Sequence, residues 1–89
     1  MDFEWDVNKN ATNIAKHGID FEDAKIVFAD IERKTAPDLR KDYGEHRYIT
    51  IGKLFKAIIT VVYTFRGDVI RIISARLSNS IEREKYQKK

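Results

Sequence analysis

Residues Ile51–Arg76 read IGKLFKAIITVVYTFRGDVIRIISAR, and their reading decides the fold. From Phe55 to Phe65 the run is apolar apart from Lys56, Thr60 and Thr64. A second apolar run, Val69–Ala75, follows Gly67-Asp68. β-Branched and aromatic residues dominate both, which suits a pleated, buried surface. The stretch therefore predicts a long central strand, a two-residue turn at Gly67-Asp68 and a second strand over Val69–Arg76. Upstream, Glu45–Ile51 has strand composition, and Gly52-Lys53 is the expected two-residue turn into a strand over Leu54–Phe65.

Working outward, Phe3-Glu4-Trp5 alternates as a short first strand would. Asp6 or Asn8 caps a helix running to His17, and Gly18 suits a left-handed C-cap. Asp20, with Asp23 three residues later, opens a second helix to about Ala29. Its apolar face is Phe21, Ala24, Val27 and Phe28. Glu32–Asp42 is polar, and Pro37 argues against a long helix there. A mobile loop is expected, with a short edge strand near its start. Asn79 with Glu82 at N3 forms a capping box for a closing helix, Ser80 to about Lys88.

A chain of 89 residues with 43% hydrophobic content supports one domain, residues 1–89, with one economical core. The absence of cysteine, of a membrane-length apolar run and of a signal-peptide pattern in MDFEWD points to a reducing, cytoplasmic setting. The net charge of +3 is unevenly distributed. Seven acids face three lysines from Met1 to Asp30, whereas seven basic residues face three acids from Arg66 to Lys89. An acidic N-terminal part and a basic C-terminal part imply two surfaces with different partners.

The two turns also predict the faces of the sheet. A Gly67-Asp68 loop sets Thr64 opposite Arg71, Val62 opposite Ile73 and Thr60 opposite Ala75. A Gly52-Lys53 loop sets Arg47 opposite Ile58 and Glu45 opposite Thr60. Glu45, Arg47, Lys56, Thr60, Thr64, Arg66 and Arg71 then share one open face with a single carboxylate. Phe55, Ala57, Ile59, Val61, Tyr63, Phe65, Ile70 and Ile72 form the apolar face that receives the helices. Guanidinium groups bind phosphate bidentately, and a carboxylate among them can take a proton from a ribose 2′-hydroxyl. The plainer reading is a solvated face on which Glu45 pairs with an arginine. His17 at a helix C-terminus fits capping or dipole stabilisation, and two histidines without cysteine make no metal site. Arg83 and Tyr86, three apart, share one side of the last helix. With Arg76 they serve either the site or the attachment of that helix.

FEWD at Phe3–Asp6, NKN at Asn8–Asn10, KHGIDFEDA at Lys16–Ala24, VFAD at Val27–Asp30, GEHRYITIG at Gly44–Gly52, VVYTFRG at Val61–Gly67, IRIISAR at Ile70–Arg76 and EREKY at Glu82–Tyr86 come in one order. In that order they resemble the BrnT toxins of bacterial type II toxin–antitoxin pairs. The resemblance implies a small α+β domain of RelE-like fold: an antiparallel sheet of three to four strands, two N-terminal helices on one face and a C-terminal helix. It also implies RNA cleavage without metal or cofactor. It further implies neutralisation by a BrnA-type antitoxin whose ribbon–helix–helix domain binds operator DNA. The motif positions are His17, Glu45, Arg47, Arg66, Arg71, Arg76, Arg83 and Tyr86. Glu45 is the expected general base, with His17 in reserve. Arg47, Arg66 and Arg71 are expected on the scissile phosphate, and Lys56, Arg76, Arg83 and Tyr86 in substrate binding. The rival readings are a nucleic-acid-binding module that never cuts and a subunit that only binds protein.

Overall fold

The computed structural model describes residues 1–88. Five strands form one mixed sheet: β1 (Asp2–Glu4), β2 (Lys34–Pro37), β3 (Tyr48–Leu54), β4 (Ala57–Arg66) and β5 (Val69–Leu77). Their order across the sheet is β1-β5-β4-β3-β2. The helices are α1 (Val7–His17), α2 (Phe21–Ala24) and α3 (Ser80–Gln87), and a 3₁₀ segment, Lys25–Ala29, continues α2. The class is α+β, as expected, but three points differ from the sequence reading. The strand count is five rather than three or four. The sheet is not purely antiparallel either, because β1 runs parallel to β5. The second helix is a single α turn that tightens into 3₁₀ geometry. No helix among the described residues is long and apolar enough to cross a membrane.

The Gly67-Asp68 turn stands where expected, with Arg66 opposite Val69. The other turn does not. Leu54 pairs with Ala57, so the loop is Phe55-Lys56, and Phe55 takes a φ of 53° without being glycine. Gly52 has a different task inside β3. A Cβ there would come within 2.6 Å of Val27 Cγ1, so the missing side chain lets the 3₁₀ segment lie flat on the sheet. Moving the loop by three residues on the strand preserves which residues alternate to which side. Odd positions of β3 still share a face with even positions of β4.

β5 carries a second departure. A bulge falls between the pairs Tyr63–Ile72 and Val62–Ser74. Val62 thus faces Ser74 rather than Ile73, and Thr60 faces Arg76 rather than Ala75. The extra residue turns Arg76 onto the arginine face. Ala75 falls on the helix face, where it is fully buried.

On that face the core is Phe21, Ala24, Val27, Leu54, Ile59, Val61, Tyr63, Ile70, Ile72 and Ala75, with Phe3, Trp5, Phe28 and Tyr48 packed against it. Asp6 caps α1 by accepting from the Asn8 and Lys9 amides, and Gly18 ends it at a φ of 71°. Asn13, buried inside α1, donates to the carbonyls of Ile19 and Ala75 and accepts the Ala75 amide. Its side-chain amide thereby stands in for a neighbouring strand at Ala75, just past the end of the three-residue β1.

The opposite face is partly covered, contrary to the open surface expected. α3 starts from its Asn79–Glu82 capping box and crosses from β5 toward β3. Glu82 takes two bonds from Arg76, at 2.7 and 2.8 Å, while Tyr86 reaches Asp30 beside β3 at 2.6 Å. No side chain of α3 is fully buried, so polar contacts rather than apolar packing attach this helix.

Burial works to raise the Glu82 carboxyl's pKa, but the bonds from Arg76 and the Asn79 backbone outweigh it and hold the pKa at about 2, against an ordinary 4.5. A depressed carboxyl stabilises the fold above its unfolded pKa. The contribution is therefore complete above about pH 4.5 and lost as pH falls toward 2. Glu82→Gln is expected to cost roughly 2 kcal/mol near neutrality, allowing for partial solvent screening, and to flatten the loss of stability over that acid window. Urea melts of both proteins between pH 2 and 5 check this.

Candidate active site

The face opposite the core carries Arg66 and Thr64 of β4 and Arg71 of β5, with Thr64 opposite Arg71 and Arg66 opposite Val69. Arg66 and Arg71 are diagonal neighbours, about 7–8 Å apart and somewhat closer at their Cβ atoms by sheet geometry. Regular β3 pairing begins at Tyr48–Tyr63, so Glu45 and Arg47 precede the strand instead of lying in it. They remain beside β4 nonetheless. Thr64 Oγ1 donates to the His46 carbonyl at 2.6 Å, and the Asp38 amide donates to the Arg47 carbonyl at 2.8 Å. The chain bends at Gly44 and Glu45, ahead of the paired strand, and the Thr64 bond sets the His46 carbonyl beside β4 two residues before Arg66.

The carboxylates are more numerous than the single one expected. Glu45 accepts from Arg47 Nε at 3.0 Å, Glu4 pairs with Arg71 at 2.5 Å and Glu82 pairs with Arg76. Glu4 and Glu82 come from β1 and α3, elements distant in sequence from the hairpins. Three of the arginines are thus neutralised, and Arg66 makes no ion pair among the described residues. Arg47 lies with its guanidinium carbon 4.0 Å from the centroid of the Tyr43 ring. Its Nε is engaged by Glu45, while Nη1 and Nη2 bond no acceptor among the described residues.

The polar run read as a mobile loop has a fixed centre. Asp38 has a side chain with no solvent exposure, bonded by Arg40 Nε at 2.8 Å, Arg40 Nη2 at 2.9 Å and the Tyr43 hydroxyl at 3.3 Å. The Arg40 guanidinium outweighs burial and holds the Asp38 pKa at about 2. β2 and this carboxylate together frame the segment that presents Glu45 and Arg47. Composition gave no hint of it, because a buried aspartate looks like a solvated one in a charged run.

The remaining predicted residues are dispersed. Lys56 lies in the β3–β4 turn, ten strand residues from Arg66 and so about 30 Å away. His17 ends α1 and lines a hollow with Lys16, Ile73 and Ser74, away from Glu45. Arg83 donates to the Ser78 carbonyl at 2.6 Å, and Tyr86 to Asp30. The Asp30 bond is the first cause of the raised Tyr86 pKa, about 12. With Arg76 on Glu82, these three side chains clip α3 to the sheet.

A carboxylate bonded to Arg47 Nε, with the terminal nitrogens of Arg47 unengaged among the described residues, suits proton abstraction next to a phosphate. Residues 5–82 match the family model described as the ribonuclease toxin BrnT of type II toxin–antitoxin systems. No curated protein matches the chain. That match spans most of the 89 residues, from Trp5 to the Glu82 of the α3 cap, and the chain belongs to the BrnT family of ribonuclease toxins.

Proposed function

We propose that this chain is an endoribonuclease that stops translation by cutting RNA through attack of the ribose 2′-hydroxyl, with no metal in the step. Family membership carries the reaction class and the requirement for a protein antitoxin. The observation favouring this site is the Glu45–Arg47 pair, held next to Thr64 of the strand that ends in Arg66. Glu45 takes the 2′-hydroxyl proton. The freed oxygen attacks the adjacent phosphorus, closing a 2′,3′-cyclic phosphate, and the 5′-oxygen leaves and is protonated. Arg47 through its terminal nitrogens, Arg66, and the free side of Arg71 hold the phosphoryl oxygens as their charge grows. Arg76, Arg83 and Tyr86 hold α3 over the rest of the face. His17 would act as base only in a site moved to α1, and Lys56 contacts only a long substrate. The antitoxin is of the BrnA type, with a ribbon–helix–helix domain that links the complex to operator DNA, and the reaction runs in the cytoplasm.

Arg66→Ala is expected to slow RNA cleavage about a hundredfold, the usual scale for losing one charge-stabilising donor. Stability should change by less than about 0.5 kcal/mol, because the side chain is exposed and unpaired. Single-turnover cleavage beside a urea melt measures both. Wild-type cleavage by the variant would exclude Arg66 from the site.

A further inference from the structure

We propose that the hollow framed by residues 37–48 holds one nucleobase of a single-stranded RNA, stacked on Tyr43. The choice of RNA as ligand rests on the ribonuclease reading above; the pocket itself rests on four observations. Its volume is about 620 Å³, within the range of small-ligand sites. Glu45 and Arg47 line it beside Lys41, Tyr43 and Tyr48, so a phosphate on the Arg47 terminal nitrogens puts the adjoining base at its mouth. The Tyr43 ring is pinned before any ligand arrives, its hydroxyl on the buried Asp38 and the Arg47 guanidinium over its ring. A pre-set aromatic loses little freedom on binding. Lys41 Nζ also stands over the ring, 5.6 Å from its centroid, on an exposed side chain that the incoming base displaces, and it then supplies a cation for the next phosphate.

The hollow lies in a loop rather than along a groove, so it takes a splayed base and not a duplex. Stacking tolerates any base, because each has a π-face. The pocket therefore sets where the strand lies more than which base it carries.

The test uses a short, 2′-O-methylated RNA, which binds but lacks the attacking hydroxyl, with 2-aminopurine as its fluorescent base. Stacking on Tyr43 quenches that base. Tyr43→Leu should relieve the quench and weaken binding by roughly five- to a hundredfold. Tyr43→Phe, which keeps the ring and loses the bond to Asp38, should stay within about twofold of wild type. Equal binding by Tyr43→Leu and wild type overturns the proposal, as does an equal loss in both variants, which would make Tyr43 a prop for Asp38. Absence of quenching in the wild-type complex overturns it even if Tyr43→Leu does not fold. Cleavage of unmodified RNA is scored separately. Cutting with no stacking sinks the pocket alone, whereas stacking with no cutting sinks the nuclease reading alone.

Discussion

Glu45→Gln is expected to lower the single-turnover rate of RNA cleavage by about 10²–10⁴-fold, the range for removing a positioned general base. The amide is nearly isosteric with the carboxylate and still accepts a bond from Arg47 Nε through its oxygen. The loop should therefore keep its shape, anchored as it is at Thr64–His46 and at Asp38. What disappears is the capacity to take a proton. RNA affinity should hold or rise slightly, since one negative charge leaves a phosphate-binding face. Activity that persists in Glu45→Gln but falls in His17→Gln would move the base to α1, on the far side of β5.

The second large effect concerns stability. Phe21 opens α2, is completely buried and meets the Trp5 ring edge-on at 6.1 Å between centroids. Its amide donates to the Asn10 side chain, so one residue joins α1, α2 and the sheet. Phe21→Ala is expected to cost about 3–5 kcal/mol, the transfer of the ring plus the cavity left behind. A domain this size has only about 4–13 kcal/mol in total, so the variant should be partly unfolded at 37 °C. Urea denaturation followed by Trp5 fluorescence measures the change. A cost under about 1 kcal/mol would mean that the helices rest on the sheet more loosely than the buried ring implies.

How much of this was legible beforehand depended on how local the signal was. The Gly67-Asp68 turn, the Asp6 and Asn79 caps and the Gly18 ending each lie within a few residues of what they determine, and each formed as read. Gly52 misled because glycine serves two purposes. It suggests a turn, but here it admits Val27 against the sheet, and the actual turn uses a left-handed Phe55. Within the paired residues of β3 and β4 the alternation survived, because a three-residue displacement of that loop keeps it in step, but Phe55 and Lys56 moved into the turn, off the two faces assigned to them, and Glu45 and Arg47 fell outside the ladder. The bulge was hidden in a uniform apolar run, and its consequence, Arg76 on the arginine face, followed from geometry alone. Least visible were the partners of the arginines. Glu4 reaches Arg71 across a parallel strand pair, and Glu82 reaches Arg76 from α3. No periodicity announces contacts of that kind. Among the described residues they leave Arg66 without an ion pair and Arg47 with only its Nε engaged.

The most direct measurement is the chemistry of the cut ends. Purified protein is incubated with RNA in excess chelator, and the fragments are analysed by mass spectrometry. Fragments ending in 2′,3′-cyclic phosphate and beginning with 5′-hydroxyl are expected, with none from Glu45→Gln on the same timescale. Fragments with 3′-hydroxyl and 5′-phosphate ends, or RNA left whole until a divalent metal is restored, would contradict the carboxylate–guanidinium mechanism.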